Sequence, residues 1–218
     1  MAPKIISIDG NIGSGKSTCV NYLKEYSKKN NTGLVFLQEP VNEWKHIVDE
    51  NSIDILTLFY GNQKKYSFSF QMMAYISRLA LLKKAIKEHP DSIIITERCL
   101  HTDRNVFAKM LYDSKMINQI DYTIYNKWFN NFIEEVPISG IIYLKSNPEI
   151  AYGRILERNR DGEFISLDYL KSCNSYHDNW IATESNVLEI DVDKKLTNEN
   201  KNAWIKLIID FINNIYNL

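Results

Sequence analysis

Long apolar runs are missing from this 218-residue chain. None approaches the ~18 residues that a membrane-spanning helix requires, so no membrane partner is expected. The first apolar run begins at residue 4, which leaves no room for a signal or Arg-rich transit segment and points to a cytoplasmic protein. Cysteine is scarce. Cys19, Cys99 and Cys173 form no even set and share no metal-ligand spacing, which argues against a disulfide framework or zinc site and suits free thiols in a reducing compartment. An excess of charge of one sign is also lacking. With 26 Lys and Arg against 27 Asp and Glu, the net charge of −1 offers no field for nucleic acid or an anionic membrane, so a small-molecule ligand fits better. Arginine occurs only six times, which makes each occurrence informative. No repeat, low-complexity linker or charge block divides the chain, and its 44% hydrophobic content suits one globular domain over 1–218.

Against these absences, residues 10–17 read Gly-Asn-Ile-Gly-Ser-Gly-Lys-Ser, the Gly-x4-Gly-Lys-Ser phosphate-loop pattern. The apolar run Ile5-Ile6-Ser7-Ile8 precedes it, and from Lys16 to Lys28 the residues Val20, Leu23 and Tyr26 recur at helical spacing. The glycines therefore form a turn between a strand and a helix. In that context loop amides and the positive helix end bind phosphate oxygens, Lys16 reaches the terminal phosphates and Ser17 offers its hydroxyl to Mg2+. A nucleoside triphosphate site follows.

Further apolar runs at 34–37, 92–96, 140–144 and 187–190 read as strands. Helical patterns lie near 16–29, 52–60, 68–88, 104–113, 119–135, 147–158, 166–182 and 199–216. This alternation predicts an α/β fold with a parallel sheet covered by helices on both faces. In such sheets the ligand sits outside the carboxyl ends of the strands. Gln38-Glu39-Pro40 follows the second strand and Glu97-Arg98 follows the third, so two carboxylates and an arginine face the triphosphate site. One carboxylate can hold Mg2+ and the other can accept a proton from an attacking hydroxyl. In the helix at 68–88, Gln71, Ala74 and Arg78 share one face, either reading a base edge or forming a solvated stripe. The stretch 152–163, YGRILERNRDGE, concentrates three of the six arginines, as either a lid over transferring phosphates or an exposed charged helix.

These features together resemble the deoxyribonucleoside kinases, whose members include deoxycytidine, deoxyguanosine and multisubstrate kinases. The resemblance runs from Ile5 to about Trp180 and rests on IDGNIGSGKST (8–18), QEPVNEW (38–44), FSFQMMAYISR (68–78), TERCLHTDRNVF (96–107) and RILERNR (154–160). It implies a P-loop kinase three-layer α/β fold, a five-stranded parallel sheet flanked by helices, with an Arg-rich lid near 154–163. It implies ATP or another NTP as donor, Mg2+ as cofactor and a homodimer. Gly10, Asn11, Ile12, Gly13, Ser14, Gly15, Lys16, Ser17 and Thr18 would cradle the donor phosphates, with Arg154, Arg158 and Arg160 closing over them. Glu39 is similar to the base that takes the proton from the nucleoside 5′-hydroxyl, and Arg98 to the group that binds near that oxygen. Glu97 and Ser17 would hold the metal. Tyr60 and Glu163 would recognise the sugar 3′-hydroxyl, and Phe70 and Phe107 would sandwich the base. Gln71, Arg78 and Asp103 would read its edge in a pocket shaped by Val41, Trp44 and Ala74.

An Arg and Asp at 78 and 103 resemble the deoxycytidine and deoxyguanosine kinases. A carboxylate accepts a hydrogen bond from the exocyclic amino group that cytosine and adenine present and thymine lacks. The expected order is deoxycytidine and purine deoxynucleosides ahead of thymidine, with pocket depth turning on residues such as Phe59. Two departures stand out: Cys99 where the family usually has Ser, and Asp9 where Glu is frequent. Among other classes, a nucleoside monophosphate kinase needs extra cations for its acceptor phosphate. A non-catalytic scaffold has no need of Lys16 and Glu39, and a GTPase carries an Asn-Lys-x-Asp motif that this chain lacks.

Overall fold

The structure is a computed structural model that describes residues 3–160, 162–194 and 197–217. Five strands form one parallel sheet: β1 (Lys4–Gly10), β2 (Val35–Leu37), β3 (Ile93–Glu97), β4 (Gly140–Lys145) and β5 (Val187–Asp191). Their order is β2-β3-β1-β4-β5, with Ile5 opposite Ile94 and Ile8 opposite both Glu97 and Ile142. Isoleucine dominates the central strands because a parallel sheet buried on both faces has no solvated side to alternate toward, and β-branched chains pack well on the pleat.

Alternate residues meet different helices. Ile6, Ile8, Ile95, Ile142 and Leu144 pack with Val20 and Leu23 of α1 (Lys16–Asn30) and with Ile205, Ile208 and Ile212 of α10 (Asn198–Tyr216). On the other face Ile5 and Ile94 pack with Tyr75, Leu79 and Leu82 of α4 (Gln63–Glu88) and Tyr125 and Phe129 of α7 (Gln119–Phe132). Ile141 and Tyr143 meet Cys173, Trp180 and Ile181 of α9 (Leu167–Ile181). The three-layer architecture and the five strands agree with the sequence expectation.

The departures are local. The helix anticipated at 68–88 starts at Gln63, because the Asn62 side chain accepts the Lys65 amide and caps a polar first turn without apolar periodicity. A short helix, α2 (Val41–Trp44), follows Pro40, and α3 (Ile55–Gly61) starts after Asp54, whose carboxylate accepts the Leu56 and Thr57 amides. The helix anticipated at 104–113 begins earlier and is composite: α5 (Leu100–Thr102), a π-helical turn over Asp103–Ala108, then α6 (Lys109–Asp113). Such wide turns gather at functional sites, and here it carries Asp103 and Phe107. The helix anticipated to 135 gives way after Phe132 to a 3-10 turn, Ile133–Glu135. α8 (Pro148–Arg158) ends at Asn159 in the left-handed conformation, φ 44°. Asp161, within the anticipated lid, lies outside the described residues.

The amphipathicity of α10 gives a direct check on the packing: Ile208 is fully buried, whereas neighbouring Leu207 is 49% exposed. Ile208→Ala is expected to cost about 2–5 kcal/mol in urea unfolding and Leu207→Ala about 0.5 kcal/mol.

Candidate active site

The site is assembled at the carboxyl ends of β1, β2 and β3. At the end of β1, Gly10 has φ +148°, and a Cβ there would stand 2.5 Å from the Leu144 carbonyl oxygen. Gly13 has φ +80°, and a Cβ would overlap the Ala151 carbonyl of α8. Only glycine permits this path at both places. The loop is braced from outside: Asn11 Nδ2 donates to the Leu170 carbonyl at 2.9 Å, while Asn11 Oδ1 accepts the Ile12 amide at 2.8 Å. Lys16 Nζ donates to the carbonyls of Gly10 (3.1 Å) and Asn11 (2.7 Å). Burial, reinforced by the Arg98 charge, pulls its pKa down to about 7.

Ser17 Oγ donates to Glu97 Oε1 at 2.7 Å, joining the first turn of α1 to the end of β3. A hydroxyl and a carboxylate beside the loop lysine form the oxygen donor set that suits Mg2+, which keeps several waters and shares phosphate oxygens. The residues fit the ion.

Next to this pair three charged side chains, Arg78, Glu39 and Asp103, interlock. Arg78 is buried on α4, where Nη2 donates to Glu39 Oε1 at 2.9 Å, Nε to Asp103 Oδ2 at 2.9 Å and Nη1 to the Glu97 carbonyl at 2.7 Å. Arg98 Nε stands 3.4 Å from the same Glu39 oxygen. Burial works to raise the pKa of Glu39, but Arg98, Arg78 and Lys16 outweigh it and hold the carboxylate ionised. For Asp103 burial prevails over the pull of Arg78 and shifts its pKa upward. For Arg78 burial is overcome by Asp103 and Glu39, so the guanidinium remains a cation.

Arg98 has φ +64°, uncommon for a side chain larger than glycine. The conformation is fixed from several sides. Its amide donates to the Ile8 carbonyl at 3.0 Å, its carbonyl accepts Thr96 Oγ1 at 2.9 Å, and Nη1 donates to the Gly10 carbonyl at 3.0 Å. The guanidinium lies 4.8 Å over the Phe107 ring.

A cavity of about 590 Å³ joins the two halves. Its wall includes Ile12, Gly13, Gly15, Lys16, Ser17 and Thr18 on the phosphate-loop side. Glu39, Val41, Trp44, Tyr60, Phe70, Gln71, Ala74, Asp103 and Phe107 line the other, with Glu97 and Arg98 between and Arg154, Arg158, Arg160 and Glu163 from the lid. Gly10, Asn11, Ser14 and Arg78 stand behind the wall and are buried. Gln71 and Arg78 are 2% and 3% exposed, so the polar stripe of α4 meets the site and not water. Phe59 does not line the cavity; it stacks behind Phe70 at 4.5 Å. Burial and the Glu163 charge raise the Tyr60 pKa, keeping its hydroxyl a donor. Arg158 pairs with Glu163 inside the lid, and Arg154 is tethered through Nη2 to the Val192 carbonyl at 2.6 Å.

Sequence reading assigned no role to several contributors. Asp9 is fully buried and accepts from the hydroxyls of Ser7 and Thr102 and from Cys99 Sγ at 3.8 Å, tying β1 to the segment after Arg98. A carboxylate inside an isoleucine strand was the available signal. Tyr169 lines the cavity edge-on to Tyr60 at 6.4 Å, and Ser77 accepts Trp44 Nε1 at 2.9 Å. Both lie in helical stretches whose periodicity reads simply as core.

Behind Phe107 sits His177, fully buried, with Nδ1 2.8 Å from the Cys173 carbonyl and Nε2 unpartnered. Its ring is edge-on to Phe107 and parallel to Tyr143. Burial and the charge of Arg98 push its pKa well below the ordinary value. The unfolded chain therefore binds a proton, as the pH falls below about 6.5, that the folded protein refuses, and stability falls with it. His177→Phe is expected to flatten the loss of thermal midpoint between about pH 6.5 and 5 relative to the unaltered protein. An unchanged slope would remove His177 as the titrating group.

Residues 6–215 match the Deoxynucleoside kinase family. The probable deoxycytidine kinase of fowlpox virus (strain NVSL) is 32% identical over 225 residues, covering 98% of this chain and 90% of the viral one. Deoxycytidine kinase of Homo sapiens is 34% identical over 199 residues, 82% of this chain and 75% of the human one. Thymidine kinase 2, mitochondrial, of Homo sapiens is 31% identical over 184 residues, 83% and 65% of the two chains. With the phosphate loop, the Ser17–Glu97 pair and the Glu39–Arg78–Asp103 cluster in one cavity, the chain belongs to the deoxynucleoside kinase family.

Proposed function

We propose that this kinase transfers the ATP γ-phosphate to the 5′-hydroxyl of a deoxynucleoside, favouring deoxycytidine and purine deoxynucleosides over thymidine, and so yields monophosphates for nucleotide salvage. The observation that carries the reading is the Glu39 carboxylate, held ionised between Arg78 and Arg98 in the cavity that the phosphate loop also lines.

The chemistry follows from position and charge. Phosphoryl transfer through a loose transition state asks for alignment, charge neutralisation and exclusion of water more than for a strong base. Glu39 accepts the 5′-hydroxyl proton late, so its low basicity is no obstacle. Arg98, pinned by the Gly10 carbonyl, holds the attacking oxygen near Glu39. Lys16 and the amides from Ile12 to Thr18 bind the donor phosphates, and Arg154, Arg158 and Arg160 screen the charge that develops. Bound Mg2+, held by Ser17 and Glu97, would neutralise phosphate oxygens.

Tyr60 and Glu163 take the sugar 3′-hydroxyl, leaving poor room for a 2′-hydroxyl. Phe70 and Phe107 take the base faces, while Val41, Trp44 and Ala74 set the width. Asp103 has both oxygens on Arg78, at 2.9 and 3.4 Å, yet each retains a lone pair that accepts an exocyclic amino hydrogen. Thymine offers a carbonyl there and is repelled. Three free, buried thiols suit cytoplasmic action.

The outer faces of α4 and α7 expose Ile76, Ile120, Ile124 and Trp128, at 52%, 71%, 39% and 43%. Exposed apolar groups grouped on neighbouring helices mark an association surface, and we assign it to a homodimer. Sedimentation should give twice the 25.5 kDa chain mass, and Trp128→Lys should give the monomer. A monomeric unaltered protein would remove the dimer.

Initial rates with Mg-ATP against deoxycytidine, deoxyadenosine, deoxyguanosine, thymidine and thymidine monophosphate test the substrate reading. Turnover of the amino-bearing nucleosides with little thymidine activity is expected. Strong thymidine turnover would discard the Asp103 argument, and activity only on the monophosphate would move the acceptor class. Glu39→Gln should lower kcat by about 10²–10⁴-fold while nucleoside affinity stays within a few-fold; near-normal turnover would remove Glu39 as base.

A further inference from the structure

We propose that Gly162 and Thr57 are a pair of positioning residues: the bare backbone at 162 lets the lid seat directly on α3 at Thr57, and that seat places Glu163 at the acceptor side of the cavity. The inference rests on the kinase reading above.

The seat is visible in what a side chain would meet. Gly162 has φ +78°, and a Cβ built there would overlap Thr57 Oγ1 and lie 3.4 Å from Thr57 Cβ. The obstructing atom cannot swing away at low cost. Thr57 Oγ1 donates to Asp54 Oδ2 at 2.8 Å and the Thr57 amide donates to Asp54 Oδ1 at 3.2 Å, so the N-cap of α3 holds it. Gly33 offers a contrast. Its φ is +69°, and nothing lies within 4 Å of where its Cβ would stand. The two glycines share a backbone conformation, but only Gly162 has a neighbour in the way.

Both partners adjoin the cavity. Leu56 and Tyr60 of α3 line it on either side of Thr57 in sequence, and Glu163 follows Gly162 directly. Glu163 is bonded to Arg158 and its charge is felt by Tyr60, so the lid carboxylate already stands near the α3 hydroxyl. Ile165 anchors the next stretch of lid against Ile155, Leu170, Ile12 and Tyr60. With Ile165 fixed below and Gly162 fixed on Thr57, the intervening Glu163 has little freedom. A Cβ at 162 lifts that point off α3 and withdraws Glu163 from Tyr60.

The test combines Gly162→Ala, Gly162→Asn, Thr57→Ala and the double variant Gly162→Ala/Thr57→Ala, with Gly33→Ala as the control for left-handed strain alone. Gly162→Ala is expected to raise the nucleoside KM about 10-fold, with the Mg-ATP KM within about 2-fold. In the ligand-free protein it should also speed trypsin cleavage after Arg158 and Arg160. Gly162→Asn should show the same defects, although Asn accepts positive φ. The double variant should recover both readouts, because removing Oγ1 leaves only ordinary contact. Gly33→Ala should change neither. Wild-type cleavage and KM in Gly162→Ala, or defects that Thr57→Ala does not relieve, would overturn the seat. The cleavage readout uses no nucleoside, so it still decides the seat if the panel above discards the kinase reading.

Discussion

Arg78 is the contact on which the acceptor half of the site depends. One guanidinium reaches Glu39 after β2, the Glu97 carbonyl at the end of β3 and Asp103 in the π-helical turn. Three separate pieces of chain are thereby held from a single side chain of α4. Burying an arginine is costly unless its donors are met and its charge is balanced. Here two carboxylates and a carbonyl meet them in fork geometry that lysine cannot reproduce. The cluster is best understood as fixing geometry, because buried ion pairs contribute little net stability yet leave a severe penalty when one member is lost. Positioning within fractions of an ångström is what phosphoryl transfer demands.

The donor half is built on the opposite principle. Where Arg78 works through side-chain bonds, the phosphate loop works through their absence, since Gly10 and Gly13 bring backbone against Leu144 and Ala151 where a Cβ would intrude. The loop is thus packed on β4 and α8 as well as on its own helix. Ile12 continues that contact into the small cluster with Ile155, Ile165 and Leu170, which also touches Tyr60. Donor loop, lid and acceptor helix therefore share one apolar support, so displacement of any of them is felt by the other two. Ser17 and Glu97 bridge the halves at the center, where β1 and β3 are direct neighbours.

What could be read in advance follows from how local each signal is. The isoleucine strands and the Gly-x4-Gly-Lys-Ser turn announce themselves because β-sheet burial and phosphate binding act on contiguous residues. Glu39, Glu97 and Arg98 were legible because strand ends in a parallel sheet converge on the ligand. The first turn of α4 was not, since it depends on the Asn62 cap and lacks apolar periodicity. The π-helical turn was not, since nothing in DRNVFA departs from an ordinary helix and the residues of α4 and α9 that it packs against are distant in sequence. Asp9 was noticed only as a departure from a family pattern. Its bonds to Ser7, Cys99 and Thr102 span up to 93 residues of sequence, a separation at which one-dimensional patterns carry no information.

The placement of the six arginines bears on the acceptor. Arg104 donates to Asn126 at 3.0 Å and lies over Phe129, away from the cavity, and Arg154 is tied to the Val192 carbonyl. Arg158 and Arg160 enter from the lid. That leaves Arg78 and Arg98 in the acceptor half, and both already share Glu39. A phosphate arriving with the acceptor would have to compete with Glu39 for those cations and would face its negative charge at close range. A neutral sugar hydroxyl meets neither obstacle, and under the roles proposed above the same arrangement is favourable to it: one carboxylate to take a proton, one arginine beside the oxygen, and no net positive charge to attract a second phosphate. The balance of charge on the acceptor side thus favours a nucleoside over a nucleotide, independently of any likeness in sequence.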